Sequence, residues 1–349
     1  MQGSPPTMTP PPAAASLADK RRFLGAPAAY PHAPARVDVL ETHMSCVFLT
    51  GALAYKLKKP VRYPFLDFTS LAARRRFCMT ELRLNRRLAG DVYRRVVPLR
   101  RDRHGRLKLG GGGGEIVDWL IEMEQLPAAE MLDNRIAANR VAAADVVGIA
   151  RMLGRFYAAA TPQVRGGGVY PRHLEKESAV NRALLLRQGW STRTDRTVAL
   201  LDRVEGLLER WTPVIHARIA AGRIVEGHGD LRPEHICLRQ PIVAIDCLEF
   251  DREMRILDPY DEVNYLGLEC ERQGAGWIRP LLLATLEDAL GGRPEPALLH
   301  TYGAFRAVLR ARLCMAHLLD PEPQRPEHWP VAAQAYLALA EAECVRAGG

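Results

Sequence analysis

Two stretches of the chain concentrate side chains that do chemistry. The first reads Glu226-Gly-His-Gly-Asp230-Leu-Arg-Pro-Glu-His235-Ile-Cys-Leu, followed shortly by Ile242-Val-Ala-Ile-Asp246-Cys-Leu-Glu249-Phe250. A carboxylate on a short glycine-flanked loop precedes one apolar strand, and a second apolar strand ends in further carboxylates. That order gathers Asp230, His235, Asp246 and Glu249 near one end of a hairpin. Carboxylates and an imidazole held together suit a divalent cation and a proton acceptor. A hairpin with polar ends and one surface histidine has the same spacing, so spacing alone leaves both readings open. The second stretch is Lys56-Leu-Lys58-Lys59. The chain has 48 basic residues but only six lysines, and these three are half of them. In a protein that otherwise uses arginine, this concentration points to a need for a compact, flexible ammonium group. An edge strand guarded by lysines is the competing explanation. Lys56 is read as functional and Lys59 as edge protection, with Lys58, on the same strand face as Lys56, the alternative for the role.

These residues need elements to position them. Cys46–Thr50 and Leu53–Leu57 are β-favouring runs separated by Gly51 and read as a hairpin. Leu71–Leu88 has helical spacing of Phe77, Leu82, Leu84 and Leu88. Val92–Leu99 and Ile116–Met123 read as strands, with a polar turn and a second edge strand over Arg101–Leu109 and a flexible break at Gly110–Gly114. Strands around one helix, ending near Leu126–Pro127, describe an α+β lobe over residues 35–126. Beyond it, over 127–349, helices dominate: Val141–Ala160, Ala179–Leu186, Val198–Ala221, Leu281–Ala289, Tyr302–Leu319 and Val331–Val345 carry helix formers at apolar spacing. The island Ile224–Ile256 lies among them. Residues 1–34, rich in Pro and Ala, are expected to be a disordered tail.

Composition sets the outer limits. The 349 residues suffice for two modest domains, and 48% hydrophobic with 25% charged residues is ordinary for a globular protein. No run of about 18 apolar residues occurs, and the first residues lack the basic and apolar regions of a signal peptide, so no membrane partner is expected. Seven scattered cysteines without a C-x-x-C pair point to reduced thiols and a cytoplasmic location. The net charge of +8 suggests nucleic acid, but the arginines are dispersed, with clusters only at Arg74–Arg76 and Arg100–Arg106. No helix-turn-helix or aromatic-interleaved basic stripe accompanies them. A surface that attracts phosphorylated ligands fits better than nucleic-acid binding.

The motif H-G-D-L-x-x-x-x-I followed by I-D-x-x-E resembles the catalytic loop and metal-binding motif of aminoglycoside phosphotransferases and their choline-kinase-like relatives. Three segments together resemble a bacterial group of the aminoglycoside phosphotransferase family often fused to a P-loop ATPase domain. They are His43–Gly51 with Ala54-Tyr-Lys56-Leu-Lys-Lys-Pro60; Phe65-Leu-Asp-Phe68 with Glu81–Leu88; and Gly227–Phe250. The likeness runs in order over roughly residues 36–320. It implies a two-lobed, protein-kinase-like fold with a β-rich N-lobe and a mainly helical C-lobe. It further implies an ATP- and Mg2+-dependent small-molecule kinase acting on a hydroxyl acceptor.

In that resemblance Asp230 orients or deprotonates the acceptor hydroxyl, Asp246 binds the metal, and Glu249 adds a further metal-shell carboxylate. Lys56 contacts the α/β-phosphates and Glu81 on the next helix holds it. Glu122–Leu126 would be the hinge whose backbone meets the adenine, and Asp261 of Asp258-Pro-Tyr-Asp261 would brace the catalytic loop. Two departures stand out. The expected Asn five positions after the loop aspartate is His235, whose imidazole can ligate a metal but suits magnesium poorly, which brings in Mn2+ as an alternative. No G-x-G-x-x-G covers the phosphates; Thr42–Ser45 occupies that turn. The departure at His235 keeps a second reading open, a catalytically weak, nucleotide-binding pseudokinase acting through protein contacts. The pentaglycine is not a phosphate loop, since no Gly-Lys-Ser/Thr follows it. The C-terminal half has no dense acidic run to hold a polycation, so an aminoglycoside is not the expected acceptor.

Overall fold

The computed structural model describes residues 15–63, 66–164, 168–320 and 323–348. Expectations for the tail up to residue 14 and for Phe65 lie outside these. The chain divides between Leu126 and Pro127 into two compact units.

The first unit is built on strands β1 (Asp38–Glu41), β2 (Ser45–Leu49) and β3 (Leu53–Lys58), a small hairpin of β4 (Arg62–Tyr63) and β5 (Leu66–Asp67), helix α2 (Leu71–Ala89), and strands β6 (Tyr93–Arg101), β7 (Leu107–Leu109) and β8 (Glu115–Glu124). The six longer-range strands form one antiparallel sheet in the order β1-β2-β3-β8-β6-β7. Alternation along β3 sorts its side chains. Tyr55 and Leu57 enter a core with Leu24, Tyr30, Phe48 and Leu120, while Lys56 and Lys58 share the other face and reach Glu81 of α2. Ser70 starts α2 by accepting a hydrogen bond from the Ala73 N–H.

The tail expected through residue 34 does not extend over residues 15–34. Helix α1 (Leu17–Leu24) begins at a Ser16–Asp19 capping box, and Leu24 and Tyr30 are buried in the same core as Tyr55. The Lys20 ammonium donates to Asp118 at 2.8 Å, and the Arg74 Nε reaches the same carboxylate at 2.7 Å. An eight-residue helix flanked by prolines carries too little periodicity to be seen locally. A partner 98 residues away in the chain holds it.

The second unit is mainly helical: α3 (Leu132–Ala137), α4 (Ala143–Ala158), α5 (Val169–Leu185), α6 (Asp195–Ala220), α7 (Pro259–Arg272), α8 (Ile278–Leu290), α9 (Pro296–Ala316) and α10 (His328–Arg346). Between α6 and α7 lie β9 (Val225–Glu226), β10 (Ile236–Cys237), β11 (Val243–Ala244) and β12 (Ile256–Leu257), paired antiparallel as β9 with β12 and β10 with β11. Helix α5 starts ten residues before the expected Ala179. Helix α7 was not expected from the sequence; every residue from Pro259 to Cys270 is buried, the polar Asp261, Glu262, Asn264 and Glu269 included. Among the described residues, no helix is long and apolar enough to cross a membrane.

A buried ionic cluster ties α7, α8, α9 and α10 together. Arg279 donates to both oxygens of Glu343 at 2.8 and 2.6 Å and to Asn264 Oδ1 at 2.8 Å. His300 and Arg346 also meet Glu343, at 3.0 and 2.7 Å. Burial acts to raise the Glu343 pKa, but the Arg279 and His300 hydrogen bonds win and hold it down at about 2.

A carboxyl whose folded pKa is depressed stabilises fully above its unfolded pKa, near 4.5 here, and that stability is lost as the pH falls toward about 2. The shift corresponds to roughly 3 kcal/mol. Glu343→Gln should therefore be about 3 kcal/mol less stable than the parent near neutral pH, since it removes the buried negative charge that faces Arg279. The gap should narrow on acidification to about pH 3. Denaturant titrations at both pH values measure it, and a gap independent of pH contradicts the assignment.

Candidate functional site

In the first unit the chemistry centres on Glu81. Its side chain is fully buried, and Oε1 receives Lys56 at 2.8 Å while Oε2 receives Lys58 at 2.5 Å. The two lysines are not equivalent. Lys58 is 1% exposed and lies 4.9 Å from the Phe68 ring centroid, whereas the Lys56 side chain keeps 14% exposure. Lys56 is thus the more accessible of the two, and Lys58 holds the carboxylate from the buried side. Lys59 pairs with Glu41 at 2.7 Å. The β1–β2 turn is closed by its own side chain: Thr42 Oγ1 accepts from the Met44 and Ser45 N–H groups.

In the second unit Asp230, His235 and Asp246 come together. His235 sits between the carboxylates, with Nδ1 3.9 Å from Asp230 Oδ2 and Nε2 3.8 Å from Asp246 Oδ2. Asp246 follows β11 in the left-handed region, at φ 61°, a conformation aspartate tolerates better than most residues. Glu249 is half-buried on the irregular segment beyond it. Burial acts to raise the Asp230 pKa, but Arg232, His235 and Arg310 outweigh it, so the carboxyl lies below its ordinary value. Arg232 Nε stands 3.2 Å from Asp230 Oδ1, and its Nη1 is 2.8 Å from Glu234.

Residues that sequence reasoning left without a role hold this loop. His228 is fully buried; its Nε2 donates to the Ile245 carbonyl at 2.9 Å and its Nδ1 accepts from the Asp230 N–H at 3.3 Å. Burial, with repulsion from His235, pushes its pKa down to about 4, so the ring is neutral at neutral pH. Main-chain bonds from Ile245 N to His235 O at 2.9 Å and from Leu248 N to His228 O at 3.1 Å lock the Asp246 segment onto the loop. Arg255 closes the far side on Glu226, Leu248 O and Asp251 O.

The brace expected from Asp261 comes instead from its neighbour. Asp261 is occupied by Arg306, at 2.9 and 2.6 Å, and by Tyr170. Glu262 accepts from the His228 N–H at 3.0 Å, the Gly229 N–H at 2.5 Å and the Tyr157 hydroxyl at 2.6 Å. Burial raises its pKa, against these donors. Glycine is required at 227 because a Cβ there would stand 2.5 Å from the Glu262 carboxylate, and Gly229 turns at φ 94°. The sequence signal for Glu262 was present, one residue past the D-P-x-x-D motif. Only the turn of α7 decides which of the two acids faces the loop.

No family model matches the chain. An uncharacterized protein of Mycobacterium tuberculosis is 29% identical over 301 residues, covering 82% of this chain and 56% of its own length. The chain thus spans about half the length of the curated relatives it matches. Among solved structures, a choline/ethanolamine kinase family protein from Mesorhizobium loti aligns with a TM-score of 0.57 at 13% identity, over 93% of this chain and 94% of that one. Choline kinase from Cryptosporidium parvum aligns with a TM-score of 0.51 at 11% identity, over 95% and 97%. At such identities the shared property is the kinase-like α+β fold.

Glu262→Gln keeps the shape but offers one acceptor oxygen to three donors. It should cost about 1–3 kcal/mol, the penalty of a buried donor left unpaired. Hydrogen exchange at the His228 and Gly229 amides should quicken relative to the rest of the second unit. Unchanged protection at both amides would show that Glu262 does not brace the loop.

Proposed function

We propose that this chain, which has the fold of the choline and ethanolamine kinases, is an ATP- and divalent-metal-dependent phosphotransferase acting on a hydroxyl of a small molecule. The observation that carries the reading is the gathering of Asp230 and Asp246 about His235, at 3.9 and 3.8 Å. The Lys56–Glu81 pair supports it independently. Phosphoryl transfer asks the protein for positioning and charge neutralisation more than covalent chemistry, and these groups supply both.

Lys56 binds the α/β-phosphates, with Glu81 holding its ammonium in place and Lys58 holding Glu81. The backbone of Glu122–Leu126 meets the adenine. Asp246, whose side chain is 44% exposed, would hold the divalent ion, with Glu249 as a further carboxylate. The ion, when bound, neutralises the phosphate oxygens. Asp230 accepts a hydrogen bond from the acceptor hydroxyl and aims its oxygen. Because its pKa is lowered, Asp230 is a weak base that stays ionised, which suits orientation and late acceptance of the proton. A polycationic acceptor is disfavoured, since Glu262 and Glu269, two acids of the C-terminal half, are engaged by loop amides and by Tyr336.

One observation favours a second reading, a nucleotide-binding protein without transfer: Arg232 lies against both Asp230, at 3.2 Å, and His235, at 3.3 Å. Two variants separate the readings. Asp230→Ala should reduce turnover by about 10²–10⁴-fold while nucleotide affinity changes by less than about threefold. Asp246→Ala should weaken metal–nucleotide binding itself by at least about tenfold. Calorimetry with ADP and metal, paired with ADP release against a panel of hydroxyl compounds, reads both. Equal loss of nucleotide affinity in the two variants contradicts the division of labour, and tight binding with no transfer to any acceptor favours the second reading.

A further inference from the structure

The imidazole of His235 is fixed more firmly than a surface histidine would be. It is 7% exposed, its carbonyl accepts from the Ile245 N–H at 2.9 Å, and its ring stacks on the buried His228 at 6.1 Å between centroids. Its Nδ1 lies 2.7 Å from the Asp230 carbonyl oxygen. A carbonyl can only accept, so Nδ1 carries the proton, and in the neutral ring the lone pair is on Nε2. That nitrogen faces Asp246 Oδ2 at 3.8 Å. Two ligands each about 2.1 Å from one ion stand roughly 3.0–3.5 Å apart, so a small movement of the Asp246 side chain closes the pair on a common ion.

We propose that His235 Nε2 and the Asp246 carboxylate together ligate the nucleotide's metal, and that this pair selects a borderline ion such as manganese(II) over magnesium. The proposal rests on the phosphotransferase reading. A nitrogen donor adds little for magnesium, which prefers hard oxygen ligands, but strengthens binding of first-row transition ions. The backbone bond at Nδ1 is the outer-shell contact expected of a ligating histidine: it fixes the tautomer and orients the free nitrogen. Arg232 Nη2 contacts Nε2 at 3.3 Å. An ion that took that contact would leave Arg232 its bonds to Asp230 at 3.2 Å and Glu234 at 2.8 Å.

Pulsed electron paramagnetic resonance of the full chain with manganese(II) and ADP tests the ligand directly. The expected spectrum shows imidazole nitrogen coupling to manganese, absent in His235→Asn. Calorimetry with ADP should find a manganese-over-magnesium preference that falls by at least about tenfold in His235→Asn. If that variant does not fold, the parent spectrum still decides. Manganese–ADP bound without nitrogen coupling overturns this proposal and leaves the phosphotransferase reading standing. Failure to bind ADP with either metal removes both.

Discussion

A carboxylate taken out of water must be surrounded by donors, and this requirement shapes both units of the chain. Glu81 and Asp118 in the first, and Asp258, Asp261, Glu262 and Glu343 in the second, are all essentially inaccessible. Unpaired, each would cost several kcal/mol; paired, each fixes the elements that bring its donors. Asp118 holds α1 and α2 through Lys20 and Arg74, and Asp258 at the start of α7 takes Arg218 of α6 at 2.5 and 2.9 Å. Some of the arginines meet the same requirement. Arg218, Arg255, Arg279 and Arg306 are buried partners of acids, so part of the positive charge lies in the interior and is not a surface for nucleic acid.

The candidate site inherits its order from this scheme. Glu262 sits beneath the loop that carries Asp230, and its acceptors set the path of His228 and Gly229. His228 then passes the constraint on through Ile245 to the segment bearing Asp246. Asp230 and Asp246 are thereby fixed on a shared frame with His235 between them. In the first unit Glu81 does the equivalent for Lys56, using Lys58 as the second anchor.

Much of this was legible in the residues. The hairpin of β2 and β3 was legible as β-favouring runs parted by Gly51, and helix α2 as a 3.6-residue pattern that survives because one face is buried and the other exposed. Asp230, His235 and Asp246 are legible because turn chemistry and two short apolar strands confine them to one end of a hairpin. Helix α7 was hidden because its buried face carries acids, Asp261, Glu262 and Glu269, where a sequence pattern leads one to expect apolar residues. Helix α1 was hidden because eight residues show little period, and part of what holds it, the Lys20–Asp118 pair and the core around Leu24, lies far away in the chain. Glu262 was overlooked in favour of Asp261 because neighbouring acids on a buried helix differ only in direction, which spacing does not record.

The central claim is that these groups bind a nucleotide with its metal. Calorimetric titration of the full chain with a non-hydrolysable ATP analogue, with manganese and with magnesium, tests it most directly. The account predicts metal-dependent, one-to-one binding, and a stability gain of about 3 kcal/mol at a hundredfold excess over the dissociation constant. No heat of binding and no stabilisation with either metal would contradict it.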